Sequence, residues 1–329
     1  MARVFSGIQP SGELHIGNYL GAVQNWVQLQ HQHDCLFCIV DLHAITQSYE
    51  LDTLAQRTGD MAVGLLAAGL DPERCIVFVQ SNVPEHSELS WLLTTVTPLG
   101  ELERQTQFKD KAQRLESVPA GLLNYPILQT ADVLLYQANL VPVGEDQLQH
   151  VELMREIARR WNGRFGENFF PEPQAQLSTA KRVLGLDGQA KMSKSLGNTI
   201  SLLDSPDTIW DKLRPAATDP ARKTRKDPGN PELCNVFTIH QGFSPPETQA
   251  HVAQQCRSAG WGCLDCKRVL ADNMIATLTP IRERAKELRA QPQQVTDILR
   301  TGAGKARALA RRTMAEVRRR MGFLAQGEA

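Results

Sequence analysis

Residues 3–18 read RVFSGIQPSGELHIGN and join an apolar, strand-like run to a glycine-rich turn that carries a histidine. A turn of this kind, followed by a helical segment over residues 17–30, lets backbone N–H groups approach phosphate oxygens closely. Farther along the chain, residues 191–195 read KMSKS and bring two lysines into one short loop. Because lysine ammonium groups neutralise phosphoryl oxygens, the two segments together favour a site for a triphosphate.

Strand-like and helix-like segments alternate through the first half of the chain. Short apolar runs at residues 35–41 and 75–80 flank a segment, residues 51–70, that has helical periodicity. This alternation predicts an α/β fold with a doubly wound, Rossmann-type parallel sheet. Such a sheet binds ligands at the carboxyl ends of its strands. Four polar residues are expected at those ends: Gln9, Asp41, His43 and Gln80.

We expect three parts along the chain. Residues 1–206 form the Rossmann-type domain, and residues 207–292, which are rich in helix formers, form a smaller all-helical domain. Residues 293–329 form a C-terminal helix that packs back toward the first domain. Met314, Val317 and Met321 lie on the inner face of this helix by their spacing.

Charge is distributed unevenly although the formal net charge of the 329 residues is zero. Residues 1–150 hold 7 Lys and Arg against 17 Asp and Glu, whereas residues 151–329 hold 29 against 19. The basic second half favours a polyanionic partner, although an uneven spread of solvated surface charge would give the same counts. No segment reads as a signal peptide, and the longest apolar run, residues 61–70, is too short to span a bilayer. We therefore expect a cytoplasmic protein without a membrane partner.

The seven cysteines fall into two groups. Cys35 and Cys38 lie on a predicted strand, where residues three apart point to opposite faces, so we interpret both as core residues. Four others, in the predicted helical domain, have the spacing C-x21-C-x6-C-x2-C: Cys234, Cys256, Cys263 and Cys266. Four thiols with a closing C-x2-C pair suit a tetrahedral zinc site or a [4Fe–4S] cluster. The spacing alone does not distinguish a zinc site from a [4Fe–4S] cluster, or either of them from four unrelated buried thiols.

The glycine-rich turn and the KMSKS loop resemble the two signature motifs of class I aminoacyl-tRNA synthetases. From end to end, the chain is similar to the bacterial tryptophanyl-tRNA synthetases of that class. The match is carried by residues 5–12, 15–19, 41–46, 100–104, 125–126, 131–136, 143–147 and 191–195. Asn18 stands where most class I enzymes have the second histidine of the motif, a substitution that is usual in the tryptophanyl branch.

The resemblance implies ATP-dependent activation of tryptophan, with Mg²⁺ accompanying ATP, and transfer of tryptophan to tRNA(Trp). It implies catalytic roles for His15, Lys111, Lys191, Lys194 and Ser195. The implied ATP-binding residues are Gln9, Pro10, Ser11, Gly17, Asn18, Gly144, Glu145, Asp146, Val183, Lys191, Met192, Ser193, Lys194 and Ser195. The implied tryptophan-binding residues are Phe5, His43, Tyr125, Gln129, Asp132, Val141, Val143 and Gln147.

Asp132 is the predicted specificity residue. It lies inside the apolar helical run of residues 127–136, where an unpaired carboxylate would be costly and therefore requires a partner. The resemblance supplies the indole N–H of tryptophan as that partner, whereas the residues alone would also fit an internal N-cap or a salt-bridged aspartate. Gln129 departs from the family, because many bacterial members carry methionine against the indole at this position.

The resemblance further implies a homodimer and a helical anticodon-binding domain. A subset of the family carries an iron–sulfur cluster on a similar four-cysteine pattern. The resemblance therefore implies a [4Fe–4S] cluster at the four cysteines, with zinc as the alternative. Three rival functions share parts of these patterns. They are a tyrosyl-tRNA synthetase, a small-molecule nucleotidyltransferase, and a non-catalytic synthetase paralogue that binds RNA.

Overall fold

The structure is a computed structural model that describes residues 1–46, 49–113, 115–177, 183–193 and 196–324. In these residues, five parallel strands form one sheet in the order β3-β2-β1-β4-β5. The strands are β1 (Arg3–Ile8), β2 (Asp34–Ile39), β3 (Ile76–Val79), β4 (Leu140–Val143) and β5 (Gln174–Leu177). The predicted doubly wound parallel sheet is therefore confirmed.

Helices connect the strands and form the C-terminal third of the chain. Those before β4 are α1 (Ile16–Asn18), α2 (Gln24–Leu29), α3 (Asp41–Ala44), α4 (Leu51–Ala67), α5 (Glu85–Thr94), α6 (Leu99–Glu103), α7 (Thr106–Ala112) and α8 (Ala120–Leu134). Those after β4 are α9 (Leu148–Phe165), α10 (Pro206–Leu213), α11 (Asn235–Phe243), α12 (Pro246–Arg257), α13 (Cys263–Ala290) and α14 (Pro292–Arg320). A short π-helix, Tyr19–Val23, joins α1 to α2, so the helical segment expected over residues 17–30 is present but not uniformly α-helical.

Both faces of the sheet are buried, as alternate side chains of β2 show. Cys35 and Phe37 point into one core, and Leu36 and Cys38 point into the other. Cys35 and Cys38 are almost fully buried, which confirms that they are core residues. The continuous apolar character of these short strands follows from this two-sided burial.

Each face of the sheet packs against its own set of helices. Residues of α4, α10, α11 and α13 share the core that contains Phe37, whereas residues of α5, α8, α9 and α14 share the core that contains Leu36. The predicted boundary at residues 206 and 207 lies at the start of α10, where Ser205 caps the helix. Helices α10, α11 and α13 thus share one core with the sheet, and α14 packs directly against β3. None of the helices in the described residues is long and apolar enough to cross a membrane.

Helix α14 covers the open edge of β3, which is an edge strand of the sheet. Gly302 brings the backbone of α14 so close that an added Cβ would lie 2.9 Å from the carbonyl carbon of Val77. Met314 and Val317 are fully buried, as their spacing predicts, and Met321 packs partly buried against the same core. Covering the edge removes a strand that could otherwise pair with another chain.

Candidate active site

The carboxyl ends of β1, β2 and β3 meet at one edge of the sheet, and the polar residues predicted there follow these strands. Gln9 follows β1, Asp41 and His43 begin and line α3 after β2, and Gln80 follows β3. This arrangement confirms that the polar residues lie at the carboxyl ends of the strands, which is where such sheets bind ligands. The turn Glu145–Gln147 follows β4 at the same edge and carries the predicted Glu145 and Asp146.

The Asp132 carboxylate lies next to this edge and is almost fully buried. Its Oδ1 atom accepts hydrogen bonds from Gln80 Nε2 at 2.6 Å and His86 Nδ1 at 2.7 Å. Its Oδ2 atom lies 2.8 Å from His43 Nε2. The carboxylate therefore has three partners within the chain, whereas the sequence interpretation expected a ligand to supply its partner.

Burial alone would raise the pKa of Asp132, but the neighbouring His43 and His86 outweigh burial and hold the pKa well below its usual range. Asp132 is thus an anionic acceptor that is fixed from two sides. Gln80 is fixed as well, because its Oε1 accepts the N–H of Leu42 at 3.1 Å. A buried, ionised and rigidly held acceptor of this kind suits recognition of a single N–H donor.

A second polar group is formed by residues of α7, α8, the turn Glu145–Gln147 and α9. The Tyr125 hydroxyl lies 3.2 Å from His150 Nε2, and His150 Nδ1 lies 2.9 Å from Gln147 Oε1. Gln129 Nε2 reaches the same Gln147 oxygen at 3.5 Å. The Lys111 ammonium lies 5.0 Å from the centre of the Tyr125 ring. Four predicted residues, Lys111, Tyr125, Gln129 and Gln147, therefore lie in one group.

Burial shifts the pKa values of the titratable side chains in this group. It raises the pKa of Tyr125 to about 12 and lowers the pKa of Lys111. Burial, with Lys111 nearby, lowers the pKa of His150 to about 4, so His150 is neutral near pH 7. The Tyr125 ring also packs edge-on against His43, 6.4 Å between centres, and so connects this group to Asp132.

The glycine-rich turn after β1 contacts the KMSKS loop. His15 Nδ1 accepts the N–H of Asn18 at 3.3 Å, and Asn18 Oδ1 accepts the N–H of His15 at 3.3 Å. An added Cβ at Gly17 would lie 3.0 Å from the His15 ring and 3.2 Å from Met192 Sδ. The two signature segments, far apart in sequence, therefore meet at Gly17.

Asn198 holds the described part of the KMSKS loop. Its buried side chain accepts the N–H of Ser193 at 2.8 Å and donates to Asp187 Oδ2 at 2.9 Å. Leu184 pairs with Lys191 in an antiparallel bridge, and the Lys191 side chain is exposed. The predicted Lys194 and Ser195 lie outside the described residues.

The remaining predicted residues divide by burial. Gln9, Ser11, Gly144, Glu145 and Asp146 are exposed or partly exposed, as ligand contacts require, whereas Pro10 and Val183 are buried. Phe5 and Val141 are buried in the core beside Asp132, and Val143 packs partly buried against it. The Phe5 ring stacks on Tyr136 at 5.6 Å.

Comparison with known proteins identifies the family. The model of the class I tRNA synthetases for tryptophan and tyrosine (W and Y) matches residues 1–279. The chain belongs to this family. Over 98% of the chain it is 57% identical to a tryptophan–tRNA ligase from Deinococcus radiodurans, and 44% identical to one from Thermotoga maritima, each covered over 99% of its length.

A solved structure agrees with these relatives. The crystal structure of a tryptophanyl-tRNA synthetase from Campylobacter jejuni, in complex with ADP and tryptophan, superposes on this synthetase with a TM-score of 0.87. The two sequences are 38% identical, over 98% of this chain and 100% of that one. The helical C-terminal region is thus part of the shared fold.

The four predicted metal ligands of this class I synthetase come together. Cys234, Cys256, Cys263 and Cys266 line one cavity. Burial, and then the three neighbouring thiols, raise the pKa of Cys266 to about 12. However, no three His, Cys, Asp or Glu side chains within the described ranges are arranged as ligands of one metal ion. The cysteines are gathered, but a metal site is not shown.

Sequence reasoning missed several residues that hold the site of this synthetase. They are His86 and Tyr136 behind Asp132, His150 beside Tyr125, and Asn198 and Asn235 beside the KMSKS loop. One signal was available for His86, because it follows β3 at the ligand edge shortly after Gln80. The others lie within helices or loops that carry no local pattern of a site.

Proposed function

We propose that this chain is a tryptophan–tRNA ligase, which activates tryptophan with ATP and transfers it to tRNA(Trp). The observation that carries the proposal is the buried, ionised Asp132 carboxylate at the ligand edge of the sheet. The near full-length similarity to tryptophan–tRNA ligases supports it independently. An indole N–H is a donor that such a carboxylate would bind, and phenylalanine lacks it.

In the first step, the tryptophan carboxylate attacks the α-phosphorus of ATP in line. The bond to the bridging oxygen breaks, and pyrophosphate leaves with its electron pair. No protein nucleophile is required, so catalysis rests on positioning and on stabilisation of charge at the phosphates. A hydroxyl of the terminal adenosine of the tRNA then attacks the adenylate carbonyl, and AMP leaves.

The roles of the phosphate-side residues follow from their chemistry. Since His15 Nδ1 accepts the Asn18 N–H, the ring proton lies on Nε2, which would donate to a phosphate oxygen. Lys111, Lys191 and Lys194 would neutralise the triphosphate, with Ser195 adding a hydroxyl donor. ATP with Mg²⁺ would also contact the following residues: Gln9, Pro10, Ser11, Gly17, Asn18, Gly144, Glu145, Asp146, Val183, Met192 and Ser193.

The amino-acid pocket would lie between Asp132 and the group around Tyr125. Phe5, Val141 and Val143 supply apolar contacts, and His43 lies between Asp132 and Tyr125. Gln147 and Gln129 present amides to the same pocket. Gln129 replaces the methionine of many relatives and would offer the indole a second polar contact.

The test is ATP–pyrophosphate exchange with each of the twenty amino acids, followed by charging of a tRNA(Trp) transcript. Exchange with tryptophan alone, together with charging, is the expected result. Exchange with tyrosine would assign the chain to the tyrosyl branch. Absence of exchange with every amino acid would favour a non-catalytic RNA-binding paralogue or a nucleotidyltransferase that acts on another substrate.

We propose that the four cysteines hold a [4Fe–4S] cluster, with zinc as the alternative. Three observations of fit support this. The thiols line one cavity, burial and the neighbouring thiols raise the pKa of Cys266, and an added Cβ at Gly229 would lie 2.6 Å from Cys256 Sγ. A bound cation would stabilise the thiolates, because ligating cysteines must be deprotonated. Its role would be to hold the loops of the anticodon-binding region.

Iron and acid-labile sulfide in anaerobically purified protein test this assignment. Cys256→Ser is expected to lose both, whereas Cys75→Ser, a buried thiol outside this cavity, should retain them. A content of one zinc ion per chain, without sulfide, would show that the site holds zinc and not the cluster. Neither iron nor zinc would show that these are four unrelated thiols.

We further propose that the synthetase acts as a cytoplasmic homodimer that binds tRNA through its basic second half. Trp91 of α5 and Leu99 of α6 are 69% and 60% exposed although apolar, and a second copy would cover them. Light scattering should give the mass of a dimer for the wild type and of a monomer for Trp91→Lys. Leu233→Lys, at an exposed leucine elsewhere, is the control. A wild-type monomer would contradict the proposal.

A further inference from the structure

A chain of buried hydrogen bonds lies behind Asp132, on the side away from His43. His86 Nδ1 lies 2.7 Å from Asp132 Oδ1, and His86 Nε2 lies 2.7 Å from the Tyr136 hydroxyl. His86 and Tyr136 are both fully buried. Both ring nitrogens of His86 already have partners within the protein, so direct substrate contact does not explain these hydrogen bonds.

The direction of each hydrogen bond follows from the partners. Burial raises the pKa of Tyr136 far above its usual value, so the phenol stays protonated and its O–H donates a hydrogen bond to His86 Nε2. His86 then carries its own proton on Nδ1 and donates to Asp132 Oδ1. Gln80 must also donate to Oδ1, because its Oε1 accepts the N–H of Leu42. The Oδ1 atom thus receives two donors.

The Oδ2 atom receives fewer hydrogen bonds than Oδ1. His43 is its one hydrogen-bond partner within the ranges the structure describes. A carboxylate offers about four acceptor positions, two on each oxygen. Two on Oδ1 and one on Oδ2 are used by the protein, so the remaining position is on Oδ2. His43 packs edge-on against Tyr125, which places Oδ2 on the pocket side.

The aromatic rings around Tyr136 hold this hydrogen-bonded row of side chains in place. Phe5 stacks on Tyr136 with 5.6 Å between ring centres, and Phe78 packs edge-on at 5.7 Å. Phe5, which we expect to line the tryptophan pocket, thus also packs one face of its ring against Tyr136. Tyr136 is therefore a fixed support from which the position of His86 is set.

We propose that His86, supported by Tyr136, is a positioning residue for amino-acid selection. It fixes the rotation of the Asp132 carboxylate so that the remaining acceptor position of Oδ2 faces the substrate N–H. Without His86, one donor would remain on each oxygen, Gln80 on Oδ1 and His43 on Oδ2, and the rotation of the carboxylate about its Cβ–Cγ bond would be less tightly fixed. The proposal rests on the proposed function, since it concerns selection of tryptophan.

The test compares two substrates in ATP–pyrophosphate exchange. One is tryptophan, and the other is 3-benzothienylalanine, which has sulfur in place of the indole N–H. The selectivity ratio is kcat/KM for tryptophan divided by kcat/KM for the analogue. We expect His86→Leu to lower this ratio by about tenfold, because the N–H acceptor is no longer held in place. His86→Asn retains a donor at the Nδ1 position and should recover most of the ratio.

Thr130→Val is the matched control. Thr130 lies on the same helix as Asp132, is buried, and donates its hydroxyl to Pro126 of its own helix. It should leave the ratio unchanged. The KM for ATP and the circular dichroism spectrum report the fold, and if His86→Leu is unfolded, Tyr136→Phe decides the question with a smaller drop in the ratio.

The outcomes separate this inference from the proposed function. Equal losses for both substrates in His86→Leu would make His86 merely structural and overturn the inference, while tryptophan activation by the wild type would still stand. An unchanged ratio in a folded His86→Leu or Tyr136→Phe protein would overturn it as well. A wild type that does not activate tryptophan would overturn both.

Discussion

Replacing Gly302 by alanine should destabilise this synthetase, although alanine is the better helix former. Gly302 lies in α14, where the helix crosses the edge of β3. An added Cβ would lie 2.9 Å from the Val77 carbonyl carbon and closer still to its oxygen, whereas real Cβ atoms essentially never approach within 3.0 Å. Because the obstacle is backbone and not a flexible side chain, the helix itself must withdraw.

The magnitude follows from two opposing effects. An ordinary Cβ contact begins at 3.4 Å, so α14 must withdraw by more than the difference between 2.9 and 3.4 Å. Withdrawal loosens the packing of Ala303 and Ala306, both buried against the sheet. Overpacking of this kind costs about 3 kcal/mol at the upper end of its usual range. Alanine regains about 1 kcal/mol of helix propensity, which leaves a net loss of about 2 kcal/mol.

Gly304 provides the matched control on the same helix. It is exposed, and nothing lies within 4 Å of an added Cβ, so Gly304→Ala should stabilise the protein by about 0.5–1 kcal/mol. The measurement is the urea midpoint of both variants beside the wild type. If Gly302→Ala is as stable as Gly304→Ala, α14 does not pack against the backbone of β3, and the reasoning is refuted.

Three further outcomes are expected. Asp132→Asn should lower kcat/KM for tryptophan about 10–100-fold in pyrophosphate exchange, because an amide cannot accept hydrogen bonds from both its protein donors and the indole. A smaller loss than for Lys111→Ala would argue against a role of Asp132 in tryptophan recognition. Burial alone would raise the pKa of Glu85, but hydrogen bonds from its own backbone N–H and from Arg307 lower this pKa overall. The carboxylate therefore stabilises the fold above pH about 4.5, and this contribution is lost as the pH falls through the pKa of the folded state. Glu85→Gln should therefore cost about 1 kcal/mol at pH 7 and less near pH 4 in urea titrations, and a cost independent of pH would contradict this. Asn235→Ala removes the bonds to the Leu184 and Gly185 carbonyls and should raise the KM for ATP several-fold with little change in the KM for tryptophan.

The sheet and its ligand edge could be predicted because they depend on local patterns. Apolar runs of a few residues set the strands, and polar residues directly after them set the ligand edge. Gln80 and His43 were placed correctly for this reason. The buried position of Asp132 also followed from its apolar surroundings in α8.

The partners of Asp132 could not be predicted, because they come from distant parts of the chain. Gln80, His86 and His43 lie 52, 46 and 89 residues away from it in sequence. Sequence reasoning correctly required a partner for the buried carboxylate, but the cost of burial does not say which donors the fold brings together. The supply of three protein donors depends on how α5 and α3 pack against α8, which no local pattern encodes.

The phosphate side of the active site is held by the C-terminal helices. Glu13, two residues before His15, accepts a hydrogen bond from the Ser201 hydroxyl at 2.9 Å and pairs with Arg289 of α13 at 3.0 Å. Asn235, the first residue of α11, donates to the carbonyls of Leu184 and Gly185, which precede the KMSKS loop. Movement of these helices would therefore change the position of the KMSKS loop.

The amino-acid side is held by other elements. His86 reaches Asp132 from α5, and the neighbouring Glu85 pairs with Arg307 of α14 at 3.0 Å. Because α5 and α14 pack on one face of the sheet, and α11 and α13 on the other, each half of the site has its own support. Damage to one support should therefore appear in the KM of one substrate. The sheet and the contacts of α14 with α4 and α13 are shared, so changes to these should alter both.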